Sequence, residues 1–139
     1  WALLPHKGEL GSETVRAGYA FNNPMRVLRA PQGVVEALNV LDIKLTGDPS
    51  LVLDTVKRGE DDEDVSRGEL PKRKGRSVVL RIFDSLGGTS KGVIETGFKV
   101  KKAWKTNVLE DEGEEVKVEE GKVRITLRPF EVATFRLEV

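Results

Sequence analysis

Apolar and polar positions alternate most regularly over residues 123–139, VRITLRPFEVATFRLEV. Val123, Ile125 and Leu127 alternate with Arg124, Thr126 and Arg128. Beyond Pro129 and Phe130, Ala133, Phe135, Leu137 and Val139 alternate with Thr134, Arg136 and Glu138. Successive side chains of a strand point to opposite faces, so this period of two predicts two half-buried strands. Proline has no N–H to give to a ladder, and Pro129 separates the pair. The same pattern predicts strands over 76–84, where Val78, Leu80 and Ile82 face one way, over 92–100 and over 103–109, with a short apolar run at 116–118. At 51–57 the alternating sets Leu51, Leu53, Thr55 and Val52, Asp54, Val56 both carry apolar groups, which predicts a strand in the middle of its sheet. Residues 37–45 alternate imperfectly, with Leu41, Ile43 and Leu45 against Asp42 and Lys44.

One stretch has the helical period instead. Ser12 is a candidate N-cap, and Val15, Gly18, Tyr19 and Phe21 follow at helical spacing. Asn22-Asn23-Pro24 ends the helix, because the residue before proline avoids the α region. The apolar run at 1–4 reads as the end of a strand, and 25–28 as a short strand. Turn signals stand at Pro5-His6-Lys7-Gly8, at 30–33, at Gly47-Asp48-Pro49, at 85–88 (SLGG) and at Glu120-Gly121. Short strands punctuated in this way predict a mainly β fold: an antiparallel β-sandwich with one short N-terminal helix. A length of 139 residues fits a single domain, 1–139. Residues 58–75 hold Glu60-Asp61-Asp62-Glu63-Asp64 and Lys72-Arg73-Lys74 but few apolar groups to offset the entropy of ordering. They are expected to form a mobile charged loop.

Composition narrows the chemistry. Lys plus Arg and Asp plus Glu both number 23, a balance that points away from nucleic acid and from anionic membranes as partners. No run approaches the ~18–20 apolar residues of a membrane span. The chain has no cysteine, so disulfides, thiolate zinc sites and a cysteine nucleophile are excluded. His6 is the sole histidine and lacks the partners that charge-relay or zinc chemistry requires. The acidic run fits no register of a calcium loop and reads as a solvated surface. The cluster Lys72-Arg73-Lys74-Gly75-Arg76 faces that run and reads first as loop solvation, second as a weak docking patch. Trp1, Tyr19 and Trp104 are the candidates for stacking on sugar rings. Trp104, between Lys102 and Lys105 in a strand-like stretch, is the best placed to stand exposed as a platform and is the one candidate substrate-binding residue.

Several stretches gain meaning together. WALLPHKGE at 1–9, VRAGYAFNNP at 15–24, SLVLDTVKRGEDD at 50–62, SVVLRIFDSLGG at 77–88, KKAWKTNVLEDE at 101–112 and ITLRPFEVATFRL at 125–137 stand in the order they have in one family. They resemble the C-terminal β-rich region of glycoside hydrolase family 38 α-mannosidases, most of all the cytosolic and fungal vacuolar branch. The resemblance is weakest over 29–45. It implies a parent that hydrolyses terminal α-mannosyl residues of oligosaccharides, using an aspartate nucleophile and a zinc ion upstream of these residues. No motif here matches the nucleophile or the zinc ligands, so no catalytic residue, metal ligand or cofactor is assigned to this stretch.

The resemblance further implies that this region packs on an upstream catalytic domain, with 1–28 as the part expected to contact it and the turns 5–8 and 85–88 near an interface. It also implies a cytosolic or vacuolar location. The chain begins inside an apolar run without an initiator Met, which reads as a piece of something longer. Apolar surface left open in such a piece is expected to favour homo-oligomers or aggregation. A free-standing module that binds carbohydrate, or a protein through a sheet edge, is the alternative.

Overall fold

The computed structural model describes residues 1–27, 29, 42–68, 72–111 and 113–139. Among them are one helix, α1 (Ser12–Asn22), and nine strands: β1 (Ile43–Gly47), β2 (Leu51–Arg58), β3 (Ser77–Asp84), β4 (Ser90–Thr96), β5 (Lys102–Thr106), β6 (Glu114–Val116), β7 (Val118–Glu119), β8 (Lys122–Leu127) and β9 (Val132–Glu138). They form two sheets, ordered β1-β4-β8-β7 and β2-β3-β9-β5-β6, and every ladder between these strands is antiparallel. The result is the expected β-sandwich with one N-terminal helix.

The alternating C-terminal stretch closes both layers. β8 lies between β4 and β7, while β9 lies between β3 and β5, so the segment 128–131 carries the chain from one sheet to the other. The inner faces meet as the pattern requires. Val123, Ile125 and Leu127 of β8 join Ala133, Phe135 and Leu137 of β9, Val78, Leu80 and Ile82 of β3, and Ile94 and Ala103 in one buried cluster. Full burial of each such aliphatic or aromatic side chain contributes about 1.5–3 kcal/mol, so this layer is the main source of cohesion. The β7–β8 hairpin turns on Glu120 and Gly121, whose φ values of 50° and 76° are the positive pair a tight two-residue turn needs.

Five expectations are corrected. β2 is an edge strand, not a central one. A β-bulge between Leu53 and Thr55 places Val56 opposite Leu80, on the core side, so of the second set only Val52, opposite Phe83, brings an apolar group to the outer face, where Tyr19 of α1 donates to Asp54 at 3.0 Å and sets its ring 5.9 Å from that of Phe83. The helix begins at Ser12 with Gly11 in the capping position. The Gly11 carbonyl accepts the Thr14 and Val15 N–H groups, and no side chain caps it. Residues 1–4 join no ladder and Trp1 is fully exposed, so the strand expected there is absent; 25–27 are not strand either. Finally, β9 buries its second face as well. Thr134 and Arg136, expected to face water, are enclosed. The expected loop at 30–33 and the alternation over 37–41 fall outside the described residues, while Ile43 and Leu45 of the same run lie in β1.

Candidate functional site

The outer face of the five-stranded sheet is covered because charge is answered there. Directly opposed residues of paired strands point to the same side. The register sets Trp104 of β5 and Val79 of β3 on either side of Arg136 of β9. The segment after β2 folds over this row. Arg136 Nη2 donates to Asp61 Oδ1 at 2.5 Å and to Asp62 Oδ1 at 2.9 Å, and Arg136 and Asp62 are each only 1% exposed. Asp62 also accepts the Ser77 N–H and hydroxyl, both at 2.7 Å, and Arg58 Nη2 at 3.1 Å. Arg73 donates to the other oxygen of Asp61 at 3.1 Å, and Arg58 reaches Asp64 at 2.8 Å. Burial pushes the Asp61 carboxyl up, but Arg136 and Arg73 outweigh it and hold it below the usual range. The acidic run is therefore not simply a solvated surface. The basic cluster behind it is drawn into the same network, since Arg76 pairs with Asp64 at 3.3 Å.

A second group sits where β3, β4 and β9 meet. The buried Asp84 carboxylate accepts the Gly87 N–H at 2.7 Å, the Ser90 hydroxyl at 2.7 Å and the Phe130 N–H at 3.0 Å. Burial acts to raise its pKa, and these bonds outweigh it, lowering the group to about 2. Glu131 is held in the same way. Burial raises it, while the Arg128 N–H at 2.8 Å and Lys105 Nζ at 2.6 Å bring it down to about 2. Glu110, also buried, pairs with Lys57 and accepts the Glu60 N–H at 3.1 Å.

Trp104 is half-buried and lines a recess of about 280 Å³ together with Asp62, Arg76, Lys102, Arg136 and Glu138. Its flanking lysines part company: Lys102 stays exposed, while Lys105 turns to Glu131. Neither of the other aromatic candidates joins it. Trp1 stands free and Tyr19 is engaged with Asp54. His6 is exposed on the N-terminal arm. Among the described residues no group of three His, Cys, Asp or Glu side chains is placed to hold a metal, so none is assigned to the zinc that the resemblance implies. No helix among them is long and apolar enough to cross a membrane.

The residues that organise these sites were not singled out from sequence. Asp84 carried a readable signal, an acidic residue closing a strand before SLGG, where Asp commonly accepts N–H groups of the turn that follows. Asp62 and Arg136 carried none, since 74 positions separate them.

Residues 70–135 match the family model described as "Glycosyl hydrolases family 38 C-terminal beta sandwich domain". Over 99% of its length the chain aligns at 35% identity with a protein of Saccharomyces cerevisiae named alpha-mannosidase, and it spans 13% of that protein's length.

Proposed function

We propose that this chain, whose residues 70–135 match the family 38 C-terminal beta sandwich and which aligns over 99% of its length with the yeast alpha-mannosidase, is the non-catalytic closing domain of an α-mannosidase. On this reading it packs on and supports a catalytic domain elsewhere in the same polypeptide, which removes terminal α-mannosyl residues from oligosaccharides. Zinc and nucleophile belong to that other part, in the cytosolic or vacuolar setting that the resemblance implies. One observation carries the non-catalytic role: the enclosed carboxylates are committed to structure. Asp61, Asp62, Asp84, Glu110 and Glu131 each hold a cation, backbone N–H groups or both. Glycoside hydrolysis needs two carboxyl groups open to one sugar bond, and these are spent on the fold. Exposed apolar groups on the N-terminal arm, Leu3, Leu10, Phe21 and Met25 among them, supply surface for a neighbouring domain to cover.

Trp104 supports a second reading, a sugar contact, because it is half-buried on the rim of a polar recess. One experiment addresses both. In the full-length polypeptide, Asp62→Asn and Glu131→Gln should leave kcat/KM for an α-mannoside within about twofold while lowering Tm; loss of a catalytic acid or base would cost on the order of 10²–10⁴-fold. A loss of that size in a folded variant ends the non-catalytic reading. Trp104→Ala should weaken binding of mannose oligosaccharides if the second reading holds, and an unchanged isotherm removes it.

A further inference from the structure

Loops that leave a sandwich ordinarily turn polar side chains to water. Three loops here do the reverse, turning a carboxylate inward and an apolar side chain outward. At 85–89 the buried Asp84 gathers Gly87 and Ser90, and Leu86 stands exposed between them. At 128–131 Glu131 turns in to Lys105, and Phe130 is 69% exposed. At 107–111 Glu110 is buried against Lys57, and Val108 and Leu109 are exposed. Val132, at the start of β9, extends the apolar set.

Backbone strain accompanies this inversion. Phe130 at φ 58° and Glu110 at φ 68° occupy the left-handed region, which is unfavourable for a residue that bears a side chain. Such outliers persist where the surroundings impose them. The loops are also tied to one another. Asp84 accepts the Phe130 N–H, which joins the first loop to the second, and β5, tied by Lys105 to Glu131, leads into the third. A Cβ on Gly87 would stand 2.5 Å from the Phe130 ring, so glycine is what lets the ring lie over the 85–88 turn.

We propose that Leu86, Phe130 and Val132, with Val108 and Leu109, form the face by which this domain seats on the remainder of its own polypeptide. The matching surface is an apolar recess, since Arg128 beside Phe130 already has Glu131 at 3.5 Å as its counter-charge. The inference rests on the reading of the chain as the closing domain of a longer enzyme. The relative it aligns with holds it as 13% of the length, so ample polypeptide is there to provide the recess.

Hydroxyl-radical footprinting of the intact full-length polypeptide tests this. Leu86 and Phe130 should be oxidised at least about fivefold more slowly than their exposure here allows, as residues in an interface core are. The protection should be independent of protein concentration. Phe130→Ser should restore oxidation at Leu86 and Val132 while Phe135 stays protected, which shows the domain still folded. Full-rate oxidation of Leu86 and Phe130 with Phe21 and Met25 protected overturns the inference and leaves the closing-domain reading standing. Full-rate oxidation of both sets overturns both. Protection that vanishes on dilution assigns the face to a second copy, and the inference falls.

Discussion

Arg136 shows how one residue can be misread by an otherwise correct pattern. Its place in the alternation gives its direction, away from the core cluster of Phe135 and Leu137. Direction and exposure are different properties, and the pattern reports only the first. What encloses Arg136 is a loop whose composition reads as solvated, and the pairing arises only after β2 and β9 are brought into one sheet. Removing one partner of a buried ion pair leaves the other charge unanswered, at a cost of ~3–5 kcal/mol. Arg136→Leu should cost less than that, about 1–3 kcal/mol, measured by urea unfolding, since it takes a cation from both Asp61 and Asp62 but leaves Arg73 on the first and Arg58 with Ser77 on the second. Adding Asp62→Asn should recover part of the loss. If the two changes are simply additive, the pair is not energetically coupled.

Strands are the elements most legible in the sequence, because period-two patterning survives wherever one face meets the core. β3, β8 and β9 fall close to their expected places, and their inward residues are those the alternation selects. Sheet position is not written in that pattern. β2 shows apolar groups in both alternating sets as a central strand would, yet lies at an edge, because a bulge between Leu53 and Thr55 turns Val56 to the core side, and nothing in the local sequence announces that bulge. The loop tips were legible only in part. SLGG announces a turn, but nothing local announces that Phe130 lies over it. Of the strands, β9 carries the most consequence, lying between β3 and β5 and filling the core from one face. Phe135→Ala should cost ~3–5 kcal/mol, read as a fall in Tm, while Phe130→Ala, at an exposed tip, should move the Tm of the domain far less. Equal shifts for the two would mean the inward face of β9 is wrongly assigned.

At the scale of the molecule, the buried carboxylates make the sandwich dependent on staying ionised. Asp84 and Glu131 ordinarily titrate at 3.8 and 4.5, and in the folded state both are brought to about 2. Asp61 is shifted the same way. A carboxyl whose folded pKa lies below its unfolded value binds fewer protons when native, so stability rises with pH across the interval between the two values. The contribution of these groups is complete above the unfolded values, near neutrality, and is lost as pH falls through about 4 toward 2. These bonds also bind 85–89 to 128–131 and β5 to β9, so protonation loosens the joint between the sheets and the loop tips together. Thermal unfolding followed from pH 7 to pH 2 should show Tm falling mainly in that acid interval. Asp84→Asn should lower Tm at pH 7, where the bonds to an ionised carboxylate are lost, and should flatten the acid slope, because an amide has no proton to take up. A variant whose acid slope equals that of the parent chain would show that the carboxylate joint does not set the acid limit of the fold.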